Sequence, residues 1–406
     1  MVRLIVFASV AVMAGGASAA DPLLIDDMEA VRHKPVVVTL KDKSKAPAGT
    51  AEVVEGRVGR AVKFTFTAGV SGAFMAGAAR ATGEWDKAAG FSFWVKGDGS
   101  ATWGGIELID KSDFKLRYGY CFPIDSTEWR KVTVAWGDLM PELNGPVVDT
   151  KAAGAYRPSG FGSWWFGKFY YWREYPNQSF TVDEIRLEER IDRPAVPETP
   201  AGLSRVREKI RAGTPVTLVT MGDSLSDARH WANRKVVWSG LLAQAIEQKY
   251  KSKVTVVNPA IGGTALSQNV VLIPRWVKDA PTPDLVTILF GGNDWDNGVR
   301  GERFGQYLRV AVEQVRRQTG GSADVLILST CPAHARWETY KELEDAARAV
   351  AAEMKCGYGD VAGEFRKAAG TADRGLAEKY WEWDKVHLGP RGHEVVRDVV
   401  MGAVER

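Results

Sequence analysis

The chain is short of cysteine: Cys121, Cys331 and Cys356 are the only three in 406 residues. So odd and sparse a set excludes a disulfide framework. Cys331 should close one sheet strand and Cys356 open the next. That puts them at opposite ends of the sheet, and they are not expected to pair. No Cys/His cluster has zinc-site spacing. An excess of one charge is also missing. The net charge of +3 is small and evenly spread, which argues against nucleic acid or an anionic membrane as partner. No apolar run reaches the roughly 20 residues that a membrane span needs, so membrane insertion is not expected.

What is present is an ordinary globular composition, 45% hydrophobic and 25% charged. A chain of 406 residues exceeds one core, and two domains are expected. The first 20 residues read as an export signal. Arg3 is followed by an apolar stretch at 4–13 and by Ala17-Ser18-Ala19, a small-residue cleavage site. A periplasmic or secreted protein follows. No Cys lies near that cleavage site to carry a lipid anchor. The 15 Trp residues are either aromatic core or sugar-stacking surface, and composition does not separate the two.

Residues 21–190 read as β. Short runs at 36–40, 61–66, 90–96, 105–109, 116–122, 129–136 and 179–187 are separated by Gly, Asp, Asn and Pro. Phe91, Phe93 and Val95 alternate with Ser92, Trp94 and Lys96, the period of a strand with one buried face. Many short strands with turn signals between them predict a β-sandwich. The aromatic run at 161–172 is read as a buried strand plus domain-interface packing, with sugar stacking as the alternative. Residues 191–201 hold three prolines and form a stiff linker.

Residues 202–406 alternate β with α. Strands are predicted at 217–221, 254–257, 285–290, 325–329 and 357–361. Helices are predicted at 238–250, 304–318, 338–354 and 389–404, the last with Pro390 in its first turn. Such alternation gives a parallel sheet between two helical layers, an α/β three-layer (α/β/α) domain. Arg309, Arg316 and Arg317 have the spacing of a solvated helix face.

Chemistry-bearing residues gather at the strand ends. Gly222-Asp223-Ser224 closes the first run and reads as a turn into a helix start, with helix-start N–H groups aimed at Ser224. Asn258-Pro-Ala-Ile-Gly262-Gly263-Thr264 follows the second run, and Gly291-Gly292-Asn293-Asp294 the third. Asp384-Lys-Val-His387 lies near the C-terminus. Four such blocks in this order resemble the GDSL esterases, also called SGNH hydrolases, over about half of the chain. The nucleophile elbow of α/β-hydrolases, Gly-x-Ser-x-Gly, is absent, which argues against that fold.

Acyl transfer gives each block a role. A hydroxyl is a poor nucleophile, so Ser224 needs a base, for which His387 is the candidate. Asp384, three residues earlier, can accept the Nδ1 proton and hold the ring in one tautomer. The oxyanion needs donors. The resemblance assigns these to the Ser224 N–H, the Gly263 N–H and the Asn293 amide, with Gly262 an alternative to Gly263. Asp223 and Asp294 are expected to orient loops, and His393 to be structural. Trp295, His334, Trp381 and Trp383, with His230 and Trp231, are candidates for lining the substrate pocket.

The N-terminal half resembles the galactose-binding-like jelly rolls, which include many carbohydrate-binding modules. The resemblance is carried by Leu24-Ile-Asp-Asp-Met-Glu29, Gly90-Phe-Ser-Phe-Trp-Val-Lys-Gly97, Glu128-Trp-Arg-Lys-Val-Thr-Val134 and Phe180-Thr-Val-Asp-Glu-Ile-Arg186. It implies a structural calcium held by Asp26, Asp27, Glu29 and Asp183, all hard oxygen donors. A solvated acidic edge is the alternative. No cofactor is required for the chemistry. The whole predicts an exported serine esterase that removes O-acetyl groups from a polysaccharide or oligosaccharide. Its rivals are a lipid or thioester acyl hydrolase of the same fold and a glycan-binding protein without activity.

Overall fold

The computed structural model describes residues 23–39, 43–70, 72–169 and 177–406. The segment at 1–20 expected to be an export signal, Leu40 and the end of the aromatic run at 170–172 lie outside the described residues.

The first half is a β-sandwich. Among the described residues it has two sheets of six strands each and a two-stranded ribbon, Val37–Thr39 with Lys45–Pro47. One runs Arg130–Ala135, Gly90–Gly97, Ser179–Glu188, Arg60–Phe66, Gly49–Glu55, with Leu24–Asp26 also pairing to Ser179–Glu188. The other runs Met140–Pro141, Arg117–Pro123, Trp103–Asp110, Phe161–Lys168, Ala73–Ala78, Lys34–Pro35. The pairings within both sheets are antiparallel. Phe64, Phe91, Phe93, Trp164, Phe166 and Phe180 meet between the sheets in one aromatic core. Alternation does this: every second residue points inward along Phe91–Val95 and, after an irregularity between Phe161 and Ser163, from Trp164 to Lys168. Phe169, at the end of the latter strand, packs instead into the core shared with the second half.

The carboxylates proposed for calcium have other partners. Asp26 and Asp27 pair with the Arg32 guanidinium. Glu29 accepts the Arg60 N–H at 3.0 Å. Asp183 accepts the N–H groups of Arg57 and Val58 at 2.8 and 3.1 Å. Its other oxygen is buried without a partner, and burial pushes this carboxyl above its ordinary range. Among the described residues, no group of three or more His, Cys, Asp or Glu side chains is placed to hold a metal ion.

No helix or strand occurs between Glu188 and Ser204. The second half then builds a parallel sheet in the order Val254–Val257, Val216–Gly222, Leu285–Leu289, Asp324–Leu328, Gly357–Gly359. Strand alternation feeds two cores. Val219, Met221, Val286, Ile288, Val325 and Ile327 meet one helical layer. Leu218, Leu285, Leu289, Leu326 and Leu328 meet the other. The first core continues into the sandwich through Trp103, Cys121, Met140 and Phe169. The strand order reverses between the first and third strands in sequence, the switch point where open α/β sheets bind ligands.

Three expectations need correction. No helix starts at Ser224; the chain turns through 224–226, and the next α-helix begins at Trp238. The segment is stapled by side chains instead. Asn233 donates to the Ser224 and Asp227 carbonyls at 2.7 and 2.8 Å. The arginines of the helix Gly301–Gln318 are not a solvated face. Arg316 is buried and donates to the Met354 carbonyl at 2.6 Å. Arg317 donates to the Pro194 carbonyl at 2.9 Å and Arg309 grips Glu353. The helices Ser204–Arg211, Leu266–Val271, Ile273–Asp279, Val361–Ala369 and Ala372–Ala377 are additional to the four expected in this half. Cys121, Cys331 and Cys356 are all free thiols. Among the described residues no helix is long and apolar enough to cross a membrane.

Candidate active site

The strand Val216–Gly222 delivers Ser224 to the sheet edge, half-buried. His387 arrives from the far end of the chain on a short loop closed by the antiparallel bridge between Trp381 and Leu388. Within that loop the Glu382 N–H donates to the His387 carbonyl at 2.8 Å. The His387 Nε2 lies 2.9 Å from the Ser224 Oγ. Its Nδ1 is bonded to the Asp384 Oδ2. The other oxygen of Asp384 accepts the N–H groups of Val386 and His387, both at 3.1 Å. Partial burial pushes the Asp384 carboxyl up, but these hydrogen bonds outweigh it and hold the group below its ordinary value. Asp384 therefore stays ionised beside the imidazole.

The loop at 261–266 and the segment at 291–296 face Ser224. Gly263 is exposed with φ +80°, a left-handed conformation that suits glycine. The Gly262 N–H is occupied by the Asp227 Oδ2 at 3.0 Å. Among the described residues the Gly263 and Ser224 N–H groups have no hydrogen-bond partner. Gly291 has φ +137°, and a Cβ there would lie 2.1 Å from the Thr330 Oγ1. The Asn293 amide donates to the Thr264 carbonyl at 2.9 Å and to the Asp223 Oδ2 at 3.4 Å. This ties the two segments together. Behind them Asp223 and Asp294 are buried. Burial pushes Asp223 up to about 6 and Asp294 up to about 7, the latter helped by the Asp223 charge. Asp294 accepts the Leu266 N–H at 3.0 Å.

A cleft of about 340 Å³ opens beside Ser224. Leu225, Leu289, Phe290 and Val386 give it apolar walls, and the ion pair of Arg336 with Asp296 a polar one. On the His387 side lies an aromatic platform. His230 stacks on the His387 ring, and Trp231 meets that ring edge-on with centroids 5.6 Å apart. Trp231 in turn stacks on Trp383 at 5.5 Å. Trp383 is 78% exposed and Trp231 42%.

Of the residues expected to line the pocket, Trp383, His230 and Trp231 gather beside His387. Two do not. Trp295 lies under the Arg300 guanidinium, 3.7 Å from its centroid, and packs on Tyr340. His334 turns to Asp373, 2.9 Å away, and leaves Ala333 and Ala335 on the cleft wall. Trp381 is buried and donates to the Pro332 carbonyl. His393 is buried in the closing helix, and burial pushes it down to about 4. Asn233, Arg336 and Asp296 were not legible in the sequence, since their roles depend on contacts between loops.

Residues 220–395 match the model of the GDSL-like lipase/acylhydrolase family. The thioesterase 1/protease 1/lysophospholipase L1 of Escherichia coli (strain K12) is 33% identical over 106 residues, covering 26% of this chain and 48% of that protein. The chain thus spans about half the length of the curated relatives it matches. Among solved structures, TesA is similar at 24% identity, over 47% of this chain and 98% of that one, with a TM-score of 0.39. A variant of Axe2, an acetyl xylan esterase from Geobacillus stearothermophilus, is 18% identical over 48% and 96%, with a TM-score of 0.37. A family 11 carbohydrate-binding module from Clostridium thermocellum is 18% identical over 42% and 97%, with a TM-score of 0.34. The four sequence blocks, their meeting at one sheet edge and the family match agree: over residues 220–395 the chain is similar to the GDSL-like lipase/acylhydrolase family.

Proposed function

We propose that the protein is an exported serine esterase that removes O-acetyl groups from a polysaccharide or oligosaccharide. The observation that carries the chemistry is the 2.9 Å contact between the Ser224 Oγ and the His387 Nε2. The Ser224 oxygen attacks the ester carbonyl while His387 takes its proton. Asp384 keeps the imidazole in the tautomer whose Nε2 can accept and then stabilises the imidazolium. The developing oxyanion is held by the Ser224 N–H, the Gly263 N–H and the Asn293 amide, whose long 3.4 Å contact with Asp223 gives way to the stronger acceptor. Gly263 is preferred to Gly262 because the Gly262 N–H is already engaged. Collapse breaks the C–O bond, and His387 returns the proton to the leaving alcohol. Water, activated by His387 in the same way, then releases the acid and restores Ser224.

The leaving alcohol must sit against His387, because that ring protonates it. Trp231 and Trp383 present exposed indole faces there. A pyranose ring, with an apolar C–H face and a polar rim, suits such a surface. The acyl group enters the cleft on the other side of Ser224, where a long chain would have to desolvate the Arg336–Asp296 pair.

A lipid or thioester acyl hydrolase is the second reading. It is favoured by the name of the Escherichia coli relative and by the apolar cleft walls. Acetate release from a panel of acetylated polysaccharides, run beside nitrophenyl esters of increasing chain length, separates the two. The proposal expects acetate release and a preference for acetyl. Preference for acyl chains beyond about eight carbons, with no acetate released, would overturn it.

A further inference from the structure

The helix Leu266–Val271, directly after the Gly263 loop, is buried at all six positions, although three of them are Ser267, Gln268 and Asn269. One of its sides packs on its own sheet. Its other side is covered by the sandwich. The Cys121 thiol donates to the Val271 carbonyl at 2.9 Å, and Met140, Phe169 and Trp103 share its core. The polar residues of this helix hold the loop. Gln268 accepts the Ala265 N–H at 2.9 Å, and Asn269 donates to the Thr264 Oγ1 at 2.7 Å. The other end of the Gln268 amide reaches the Glu142 carboxylate, across 3.5 Å, and Glu142 belongs to the sandwich.

Two residues on, the Asn144 amide donates to the Gly298 carbonyl at 2.9 Å. The Gly298 N–H donates to the Trp295 carbonyl, at the end of the short helix Gly292–Asp296 that carries Asn293. Between these contacts, the Tyr307 hydroxyl donates to the Gly145 carbonyl at 2.7 Å and receives the Gly145 N–H at 3.1 Å. One sandwich turn thus touches both segments that supply oxyanion donors.

We propose that the turn at 142–145 is a positioning element of the oxyanion hole: Glu142 sets the Gly263 loop through Gln268, and Asn144 sets the Asn293 segment through Gly298. This rests on the reading of the Ser224 site as an acyl hydrolase. The sandwich is then half of the catalytic scaffold and not a detachable module. Glu142 is buried beside Glu107, which Arg117 pairs at 3.2 Å. Burial, and then the Glu142 charge, push the Glu107 carboxyl well above its ordinary range. A buried, tightly flanked carboxylate keeps one position, as a positioning group must.

The test uses the full-length chain and nitrophenyl acetate. Glu142→Ala and Gln268→Ala should each lower kcat about tenfold with KM changed less than about twofold, as expected for donors displaced from the oxyanion. The double variant should lose no more than either single one, because both cut the same link. Glu142→Gln, which keeps an acceptor for Gln268, should restore kcat. Asn144→Ala, at an exposed position, should lower kcat in the same way. Losses that multiply in the double variant, or kcat within about twofold of wild type in both Glu142→Ala and Asn144→Ala, would overturn the proposal. Ser224→Ala run in parallel reports on the site itself: retained turnover there would defeat the hydrolase reading and not this link.

Discussion

His230 lies flat against His387, with ring centroids 4.2 Å apart and planes 30° from parallel. The catalytic ring is thereby fixed on its face as well as at its Nδ1 edge. Asp384 alone allows the ring to rock about the hydrogen bond, and the stack removes that freedom. His230→Ala should lower kcat about three- to tenfold, while His230→Phe, which keeps a flat face, should recover most of it. Equal losses in the two variants would show that the stack does not position the ring.

The oxyanion donors should separate from the substrate contacts in kinetics. Asn293→Ala should lower kcat by about 10²- to 10³-fold with a small change in KM, since its amide acts on charge that exists only in the transition state. Steady-state kinetics on nitrophenyl acetate checks this. A rise in KM at constant kcat would assign Asn293 to substrate binding instead.

Trp231 and Trp383 should govern the alcohol side. Replacing either by Ala should lower the ratio of kcat/KM for glucose pentaacetate over ethyl acetate by about three- to tenfold, the scale of one aromatic contact. An unchanged ratio would mean that the platform does not touch the sugar.

Asp294 should make stability depend on pH. Its folded value is about 7 against an ordinary 3.8. The folded state therefore binds more protons than the unfolded state between those values, and stability falls as pH rises through the window. Asp294→Asn cannot ionise and its amide oxygen can still accept the Leu266 N–H. The melting temperature of wild type relative to Asp294→Asn should fall as pH is raised from about 4 to about 8. A difference that stays constant would place the Asp294 carboxyl at its ordinary value.

The residues that meet at the sheet edge were legible because chemistry confines their types and strand ends confine their places. A β-branched run followed by Gly-Asp-Ser or Gly-Gly-Asn-Asp marks both. The stretch after Ser224 was misread because nothing local shows that Asn233 staples it through two carbonyls. The strands Gly49–Glu55 and Ala73–Ala78 escaped because small residues blur the alternation. Glu142 and Gln268 stand 126 positions apart, and no periodicity joins them. His334 and Trp295 were expected at the pocket from their nearness in sequence, but the first turns to Asp373 and the second to Arg300.

A serine-directed phosphonate ester tests the central claim most directly, because it reacts only where a base activates a hydroxyl. Followed by peptide mass spectrometry on the full-length chain, it should form one adduct, on Ser224. Labelling should disappear in Ser224→Ala and slow by at least about 10³-fold in His387→Ala. An adduct at another residue, or labelling of His387→Ala at the wild-type rate, would contradict the account.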